Sequence, residues 1–474
     1  MIMKNKILQL IPFVATATVG LCSAQTLKQS KPNVLFIVVD DLNDWTTLFS
    51  PNNPIRTPNL EGLAKRGAFF TNAYCPSPAS NPSRACILTG IRPHKTGVYG
   101  NSSDWRAALP ERTTLQRYFK NNGYYVAGSG KIFHHHNDWA FHDNASFNEY
   151  LMMSINEPYP ARKLNKLEWY GSRNTDWGVW PDDICKTADF KTAEFGVRFL
   201  EEPHDQPFML NIGIYKPHSP YFAPIQFFDA YPLSGLKMPN RLDNDQEDLP
   251  SGAKSLMKPT RWFWEGMIKA MEENPDVYRE FVRAYQACAG FADAMVGKVL
   301  KALDNSPYRE NTIIILWSDN GFHLGEKDHI EKFALWEKTT HVPYIIIAPG
   351  VTRPGQILDN PVDLTTIFPT LVELCGLKVP DGLDGFSLVP LLRGENLEIP
   401  PALMTYMKGN HAIRTEKWRY ISYADGTEEL YDHDHDPHEW FNLAGDKAYK
   451  NIIDELREYI PTENADQVND LKIK

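Results

Sequence analysis

Four short apolar runs, rich in β-branched residues, each stop abruptly in a polar tail. Asn33–Val39 runs into Asp40-Asp41, Tyr124–Ala127 into Gly128-Ser129-Gly130-Lys131, Phe208–Tyr215 into Lys216-Pro217-His218, and Thr312–Trp317 into Ser318-Asp319-Asn320-Gly321. None of them alternates apolar with polar, which is the pattern of strands buried on both faces of a mainly parallel sheet. Helical patterns lie between them, at 59–66, 114–121, 191–200 and 277–303. Alternating strands and helices predict an α/β fold with right-handed crossovers, and in such sheets ligands gather at the carboxyl ends of the strands. The four polar tails are therefore expected to converge on one site.

A fifth run, Pro343–Ile347, and a helical stretch at 364–374 complete this unit. After Gly376 the sequence becomes turn-rich, with strand candidates at 418–423 and 429–431 and a closing helix near 451–459. The expected organisation is a signal peptide at 1–24, an N-terminal α/β catalytic domain at 25–375 and a smaller C-terminal α+β subdomain at 376–474. Residues 232–275 read as a long loop insertion.

The first residues read as an export signal. Lys4 and Lys6 precede an apolar stretch from Ile7 to Leu21, and Cys22-Ser23-Ala24 offers a small-residue cleavage site before Gln25. The stretch is too short and poorly flanked for a transmembrane anchor. Leu21 is bulkier than the residue that usually precedes a lipidated cysteine, which favours cleavage after Ala24 and an exported, periplasmic protein over a lipid-anchored or extracellular one. Cys75, Cys86, Cys185, Cys288 and Cys375 are widely scattered, so a dense disulfide scaffold is excluded. A net charge of -10 argues against a nucleic-acid partner while allowing a local basic pocket.

The polar tails carry chemistry. Asp40 and Asp41, side by side at a buried strand end, repel each other unless a cation lies between them. Asp319 and Asn320 add two oxygen donors, and an oxygen-only set suits a hard cation, Ca²⁺ first and Mg²⁺ second. Lys131 and His134, and Lys216 with His218, place a point charge and a proton-exchanging group beyond two further strands. Gly128-Ser129-Gly130-Lys131 only superficially resembles a nucleotide phosphate loop, since Tyr125 and Ile132 stand where that motif needs Gly and Ser or Thr. Asp432–Asp436, alternating Asp and His, reads as a solvated loop.

Ser80-Asn81-Pro82-Ser83-Arg84, followed by Leu88-Thr89-Gly90, resembles the type I sulfatase signature. The resemblance spans nearly the whole mature chain, including the Asp-Asp, Lys-x-x-His, Lys-Pro-His and Asp-Asn-Gly tails and the closing Leu-Tyr-Asp segment, and it is greatest to the iduronate-2-sulfatase-like branch. It implies an alkaline-phosphatase-like fold, a large, mainly parallel or mixed sheet sandwiched by helices, with the smaller C-terminal subdomain. It implies that Ser80 is oxidised to formylglycine by a serine-type maturation enzyme, of the kind typical of anaerobic bacteria. An ordinary serine attacking sulfur would leave a stable sulfate ester, whereas the aldehyde hydrate can attack with one hydroxyl and expel sulfate by deprotonating the other.

By the same resemblance Asp40, Asp41, Asp319 and Asn320, with residue 80, are Ca²⁺ ligands, and Arg84 holds the nucleophile. Lys131 and Lys332 bind sulfate oxygens, with Lys327 and Lys338 as neighbours competing for the second role. His134 is the base that opens the hydrate, and His218 the acid that protonates the leaving alcohol. His94, Asn101, Trp105, Arg106, Lys216, His411 and Arg414 are candidates to line a sugar pocket. The expected activity is hydrolysis of a sulfate ester on a polysaccharide-derived oligosaccharide, acting from chain ends, either glycosaminoglycan 2-O-sulfate or a sulfated algal galactan. Two rivals use the same residues differently: a phosphatase or phosphodiesterase with unmodified Ser80, and a non-catalytic sulfated-glycan-binding protein.

Overall fold

The computed structural model describes residues 31–134, 141–152 and 159–471; the expected signal peptide and Cys22, and His135 and His136, lie outside them. The main sheet has eight strands: β1 (Asn33–Val39), β2 (Ala68–Phe70), β3 (Tyr125–Gly130), β4 (Glu149–Leu151), β5 (Phe208–Ile214), β6 (Thr312–Ser318), β7 (Tyr344–Ile347) and β8 (Gln356–Leu358), in the spatial order β8-β2-β7-β6-β1-β5-β3-β4. Strands β6, β1, β5, β3 and β4 are parallel, and only β7 runs against its neighbours. The large, mainly parallel sheet read from the apolar runs is therefore present, with one reversed strand.

Every residue of β1 is buried, and alternate side chains enter different cores. Leu35, Ile37 and Val39 pack towards the helices α4 (Ala188–Glu201) and α7 (Val277–Asn305), while Val34, Phe36 and Val38 face α2 (Ser80–Thr89), α3 (Leu115–Asn121) and α8 (Ile367–Leu374). Two-sided burial is the reason these strands read as unbroken apolar runs. The helix expected at 59–66 is present as α1 (Pro58–Ala64), with Asp293 from α7 accepting the backbone N–H groups of Asn59 and Leu60.

Residues 232–275 are not a plain loop. They contain α5 (Ser251–Met257) and α6 (Arg261–Glu273), and α6 buries Phe263, Trp264, Met267 and Ala270. The abundance of Pro, Asp and Asn in the segment hid a helix half of whose buried face is aromatic.

A second, antiparallel sheet joins β9 (Ala402–Thr405), β10 (His411–Arg414), β11 (Trp418–Ser422) and β12 (Glu428–Asp432) in sequence order. One face carries Leu403, Ile413, Tyr420 and Leu430 against the closing helix α9 (Lys450–Arg457). The other carries Met404, Ala412, Ile421 and Tyr431 against Tyr74, Leu335 and Trp336 of the first unit. Residues 32–474 form one compact unit. Cys75, Cys86, Cys288 and Cys375 are buried and Cys185 is exposed.

Candidate active site

The polar tails of β6, β1, β5 and β3 emerge side by side, because these strands are neighbours and parallel. Asp40, Asp41, Ser80, Arg84, Lys131, Asp319, Asn320 and Lys332 are all buried there. Ser80 is the first residue of α2, whose N-cap, Ala79, makes no side-chain cap. Neither Ser80 nor Ser83 caps this helix. Ser80 Oγ instead lies 3.1 Å from Lys332 Nζ, 3.3 Å from Asn320 Oδ1 and 3.5 Å from Asp40 Oδ1. Ser83 donates to the Asp319 carbonyl at 2.6 Å, tying α2 to the end of β6.

Arg84 knits the carboxylates together. Its Nε lies 2.8 Å from Asp319 Oδ2 and its Nη2 3.0 Å from Asp40 Oδ1, while Nη1 donates to the Lys131 and Ile132 carbonyls. Lys131 Nζ pairs with Asp40 Oδ2 at 2.5 Å, and Lys332 Nζ with Asp41 Oδ1 at 2.5 Å. Asn320 Nδ2 donates to the same Asp41 oxygen at 2.7 Å. Against the cost of burial, Lys332 and His218 hold the Asp41 carboxyl below its ordinary range. Burial pulls the Lys131 ammonium down and Asp40 pushes it back. Three buried cations thus offset three buried carboxylates.

The three candidate lysines separate cleanly. Lys327 is bound to Asp245 at 3.0 Å and to the Glu439 carbonyl, and Lys338 to both oxygens of Asp44 at 2.8 and 3.0 Å. Only Lys332 reaches Ser80 among the described residues. Its loop is anchored by His329, whose Nε2 is 2.6 Å from the Lys332 carbonyl and whose ring burial lowers to a pKa of about 4.

His218 Nε2 is 3.8 Å from Asp41 Oδ2, and Nδ1 donates to the Ser219 carbonyl at 2.9 Å. Burial and Lys131 drive its pKa well down, with Asp41 opposing. His134 is half-buried three residues past Lys131, its ring edge-on to Phe141 at 5.5 Å.

The residues expected to line a sugar pocket divide. His94 and His411 have ring centroids 6.1 Å apart, and His411 bonds Asn464 Oδ1 at 2.9 Å. His94, whose Nδ1 has no hydrogen-bond partner among the described residues, borders a cleft of about 590 Å³ together with Lys95 and residues 461–465. Burial holds both imidazoles near pKa 4, neutral at pH 7. The others have structural partners. Asn101 accepts the Asn81 amide at 3.1 Å and so positions the start of α2. Trp105 donates to the Phe141 carbonyl, and Arg106 stacks on Trp105 and pairs with Asp143 at 3.0 Å. Lys216 Nζ is held by the Pro220 and His218 carbonyls. Arg414 pairs with Glu337 at 3.1 Å inside a buried ionic network.

That network corrects the reading of Asp432–Asp436 as a solvated loop. His433 Nε2 lies 3.0 Å from Glu439 Oε1, and Arg419 bonds both Glu439, at 2.6 Å, and Glu337. Glu337, His433 and Glu439 could in shape hold a metal, but Arg414 and Arg419 already neutralise their carboxylates. Asp434 and His435 do behave as loop residues, with side chains 59% and 79% exposed.

The chain matches the Sulfatase family over residues 32–377, and a domain described as N-sulphoglucosamine sulphohydrolase, C-terminal, over residues 325–466. It is 37% identical to a sulfatase of Formosa agariphila, covering 92% of this chain and 87% of that one. A Delta 4,5-hexuronate-2-O-sulfatase of Bacteroides thetaiotaomicron is 29% identical, with 96% and 94% covered. Among solved structures, a 2-O GAG sulfatase superposes with a TM-score of 0.67 at 26% identity, covering 90% of this chain and 91% of that one. With more than half its length matched, and with its buried serine, lysines and carboxylates gathered at the strand ends, the chain belongs to the sulfatase family of sulfuric ester hydrolases.

Proposed function

We propose that this protein, once Ser80 is converted to formylglycine, removes sulfate from a sulfated oligosaccharide, with glycosaminoglycan 2-O-sulfates and sulfated algal galactans as the substrate classes. The observation that carries the reading is Ser80 Oγ within 3.5 Å of a lysine, a carboxamide and a carboxylate, in a fully buried cluster of balanced charge. Members of the family depend on formylglycine and bind a divalent metal. The donors fit such an ion: Asp40, Asp41 and Asp319 offer oxygens within 4.8 Å of one another, and Asn320 adds its carboxamide. We assign these four residues, with residue 80, to Ca²⁺ or, second, Mg²⁺, which when bound would supply positive charge to the nucleophile and the sulfate. Formylglycine would supply, as its hydrate, one hydroxyl to attack sulfur and a second whose deprotonation releases sulfate.

The remaining steps belong to the chain's own side chains. Arg84 fixes Asp40 and Asp319 and, through them, the place where the nucleophile stands. Lys131 and Lys332 flank that place and exchange a carboxylate for sulfate oxygens as the ester binds, so their charge is in position before negative charge redistributes. His218, whose pKa burial and Lys131 drive down, moves towards protonation beside an incoming anion and can then deliver a proton to the leaving alcohol. His134 is assigned the proton of the hydrate. The cleft beside His94 and His411 is assigned to the sugar.

Ser80 is fully buried. A maturation enzyme that reads Ser80, Pro82 and Arg84 must therefore act before the chain closes over them. Export to the periplasm, through the signal at 1–24, is part of the same proposal; among the described residues no helix is long and apolar enough to cross a membrane.

Intact-protein mass spectrometry after co-expression with a serine-type maturation enzyme tests this reading. Residue 80 should be two hydrogens lighter than serine, or its hydrate, in the preparation that releases sulfate from glycosaminoglycan, porphyran or carrageenan fragments. Full activity with unmodified Ser80, or turnover of phosphate esters alone, would overturn it.

A further inference from the structure

Two adjacent residues of a strand normally point to opposite faces of their sheet. Asp40 and Asp41 do not: each places a carboxylate oxygen within 4.8 Å of the other and of Asp319. The backbone of Asp41 is the reason. Asp40 still pairs as a strand residue, its amide donating to the Ile214 carbonyl at 3.0 Å, but Asp41 has φ 56°, in the left-handed region that few residues other than glycine enter. That reversal brings the second carboxylate round beside the first. Backbone of this kind persists where the surroundings over-determine it.

Tyr285, fully buried in α7, supplies such a constraint. Its hydroxyl donates to the Asp41 carbonyl at 2.7 Å and accepts the Asn43 amide at 3.2 Å, so one oxygen closes the turn that Asp41 makes. The Asp41 and Leu42 amides are bound to Asp319 Oδ1 at 3.1 Å and Ser318 Oγ at 3.0 Å, which fixes the amide side of the turn while Tyr285 holds its carbonyl side. The Tyr285 ring stacks on Phe322, with centroids 5.6 Å apart, and the Phe322 carbonyl accepts Asn43 Nδ2 at 2.9 Å. Asn43 closely follows Asp40-Asp41, and Phe322 closely follows Asp319-Asn320. One side chain from the helix layer therefore braces both loops.

We propose that Tyr285 is a positioning residue for the divalent cation, its hydroxyl holding the Asp41 carbonyl and the Asn43 amide so that Asp40 and Asp41 present their carboxylates to one ion. The inference rests on the metal assignment to Asp40, Asp41, Asp319 and Asn320, and adds to it a residue that binds no ligand itself. Supporting groups of this sort typically alter metal affinity by about 10–100-fold, because without them the donors lose their orientation though not their charge.

Calorimetric titration of Ca²⁺ into chelator-treated wild type, Tyr285→Phe and Tyr170→Phe tests it. Tyr170 is the matched control, a buried tyrosine whose hydroxyl donates to the Phe263 carbonyl of α6. Tyr285→Phe keeps the ring and its stacking but should raise the Ca²⁺ Kd about 10–100-fold, with kcat of the matured enzyme recovering as Ca²⁺ is raised and KM for the sulfated substrate unchanged. Tyr170→Phe should lower the melting temperature and leave the Kd as in wild type. An unchanged Kd in Tyr285→Phe, an equal loss in Tyr170→Phe, or lost turnover that saturating Ca²⁺ does not restore would overturn the assignment. Should Tyr285→Phe fail to fold, hydrogen exchange in wild type decides: the Asn43 amide should exchange at least ~10-fold more slowly with Ca²⁺ than with chelator, and equal rates would overturn it. A wild type that binds neither Ca²⁺ nor Mg²⁺ would instead overturn the metal assignment.

Discussion

Ser80, fully buried, and Asp44, partly buried, show how differently two polar side chains are used. Ser80 Oγ is directed at Lys332 and Asn320 rather than at the helix it begins, so replacing it removes chemistry and little packing. Ser80→Ala should keep the melting temperature within a few degrees of wild type while sulfate release falls by at least ~10³-fold. Asp44 touches no reacting group; it pairs with Lys338 and, at 3.2 Å, with His341 Nδ1. Lys338 and His341 outweigh burial and lower its carboxyl to about 2. A depressed carboxylate contributes stability that is present above its unfolded value near 4 and is lost as the pH falls through 2. Asp44→Asn should therefore cost about 2 kcal/mol at pH 7, the gap to wild type closing between pH 4 and 2, as read from denaturant unfolding across that range.

At the scale of elements, the site depends on strands approaching more closely than side chains allow. A Cβ on Gly213 in β5 would sit 2.3 Å from the Lys131 carbonyl oxygen, and one on Gly130, at φ +83°, would meet the Gly213 carbonyl oxygen at 2.0 Å. This contact aims Lys131 at Asp40, which gives Gly130 a purpose that has nothing to do with a phosphate loop. Gly213→Ala should displace Lys131, lowering kcat by about 10²-fold or more and the melting temperature together, measurable by turnover and calorimetry. The ionic network of Glu337, Arg414, Arg419, His433 and Glu439 joins the second sheet to the loop that carries Lys332. Arg419→Ala leaves two buried carboxylates short of a partner, and it should destabilise by roughly 3–5 kcal/mol in urea unfolding.

At the scale of the whole molecule, Trp336 and Tyr74 pack against Met404, Ala412, Ile421 and Tyr431, so the first unit completes its core with the second sheet. A fragment ending at residue 375 should therefore fail to give a cooperative melting transition, and adding residues 376–471 should restore one. The sequence alone determined the parallel sheet and the polar tails that meet at its edge, because two-sided burial forces continuous apolar strands and parallel strands deliver their ends to one side. It also marked Ser80 and Arg84, since the signature is local in the chain. Only the tertiary structure decided which of Lys327, Lys332 and Lys338 reaches Ser80, that Arg106, Lys216 and Arg414 have protein partners, and that His433 lies in an ionic network. Those outcomes depend on contacts between residues far apart in sequence, as with Arg414 and Glu337 or Lys332 and Ser80. A cationic or imidazole side chain carries no local mark of whether a distant carboxylate has already claimed it, because that pairing is fixed by packing rather than by spacing.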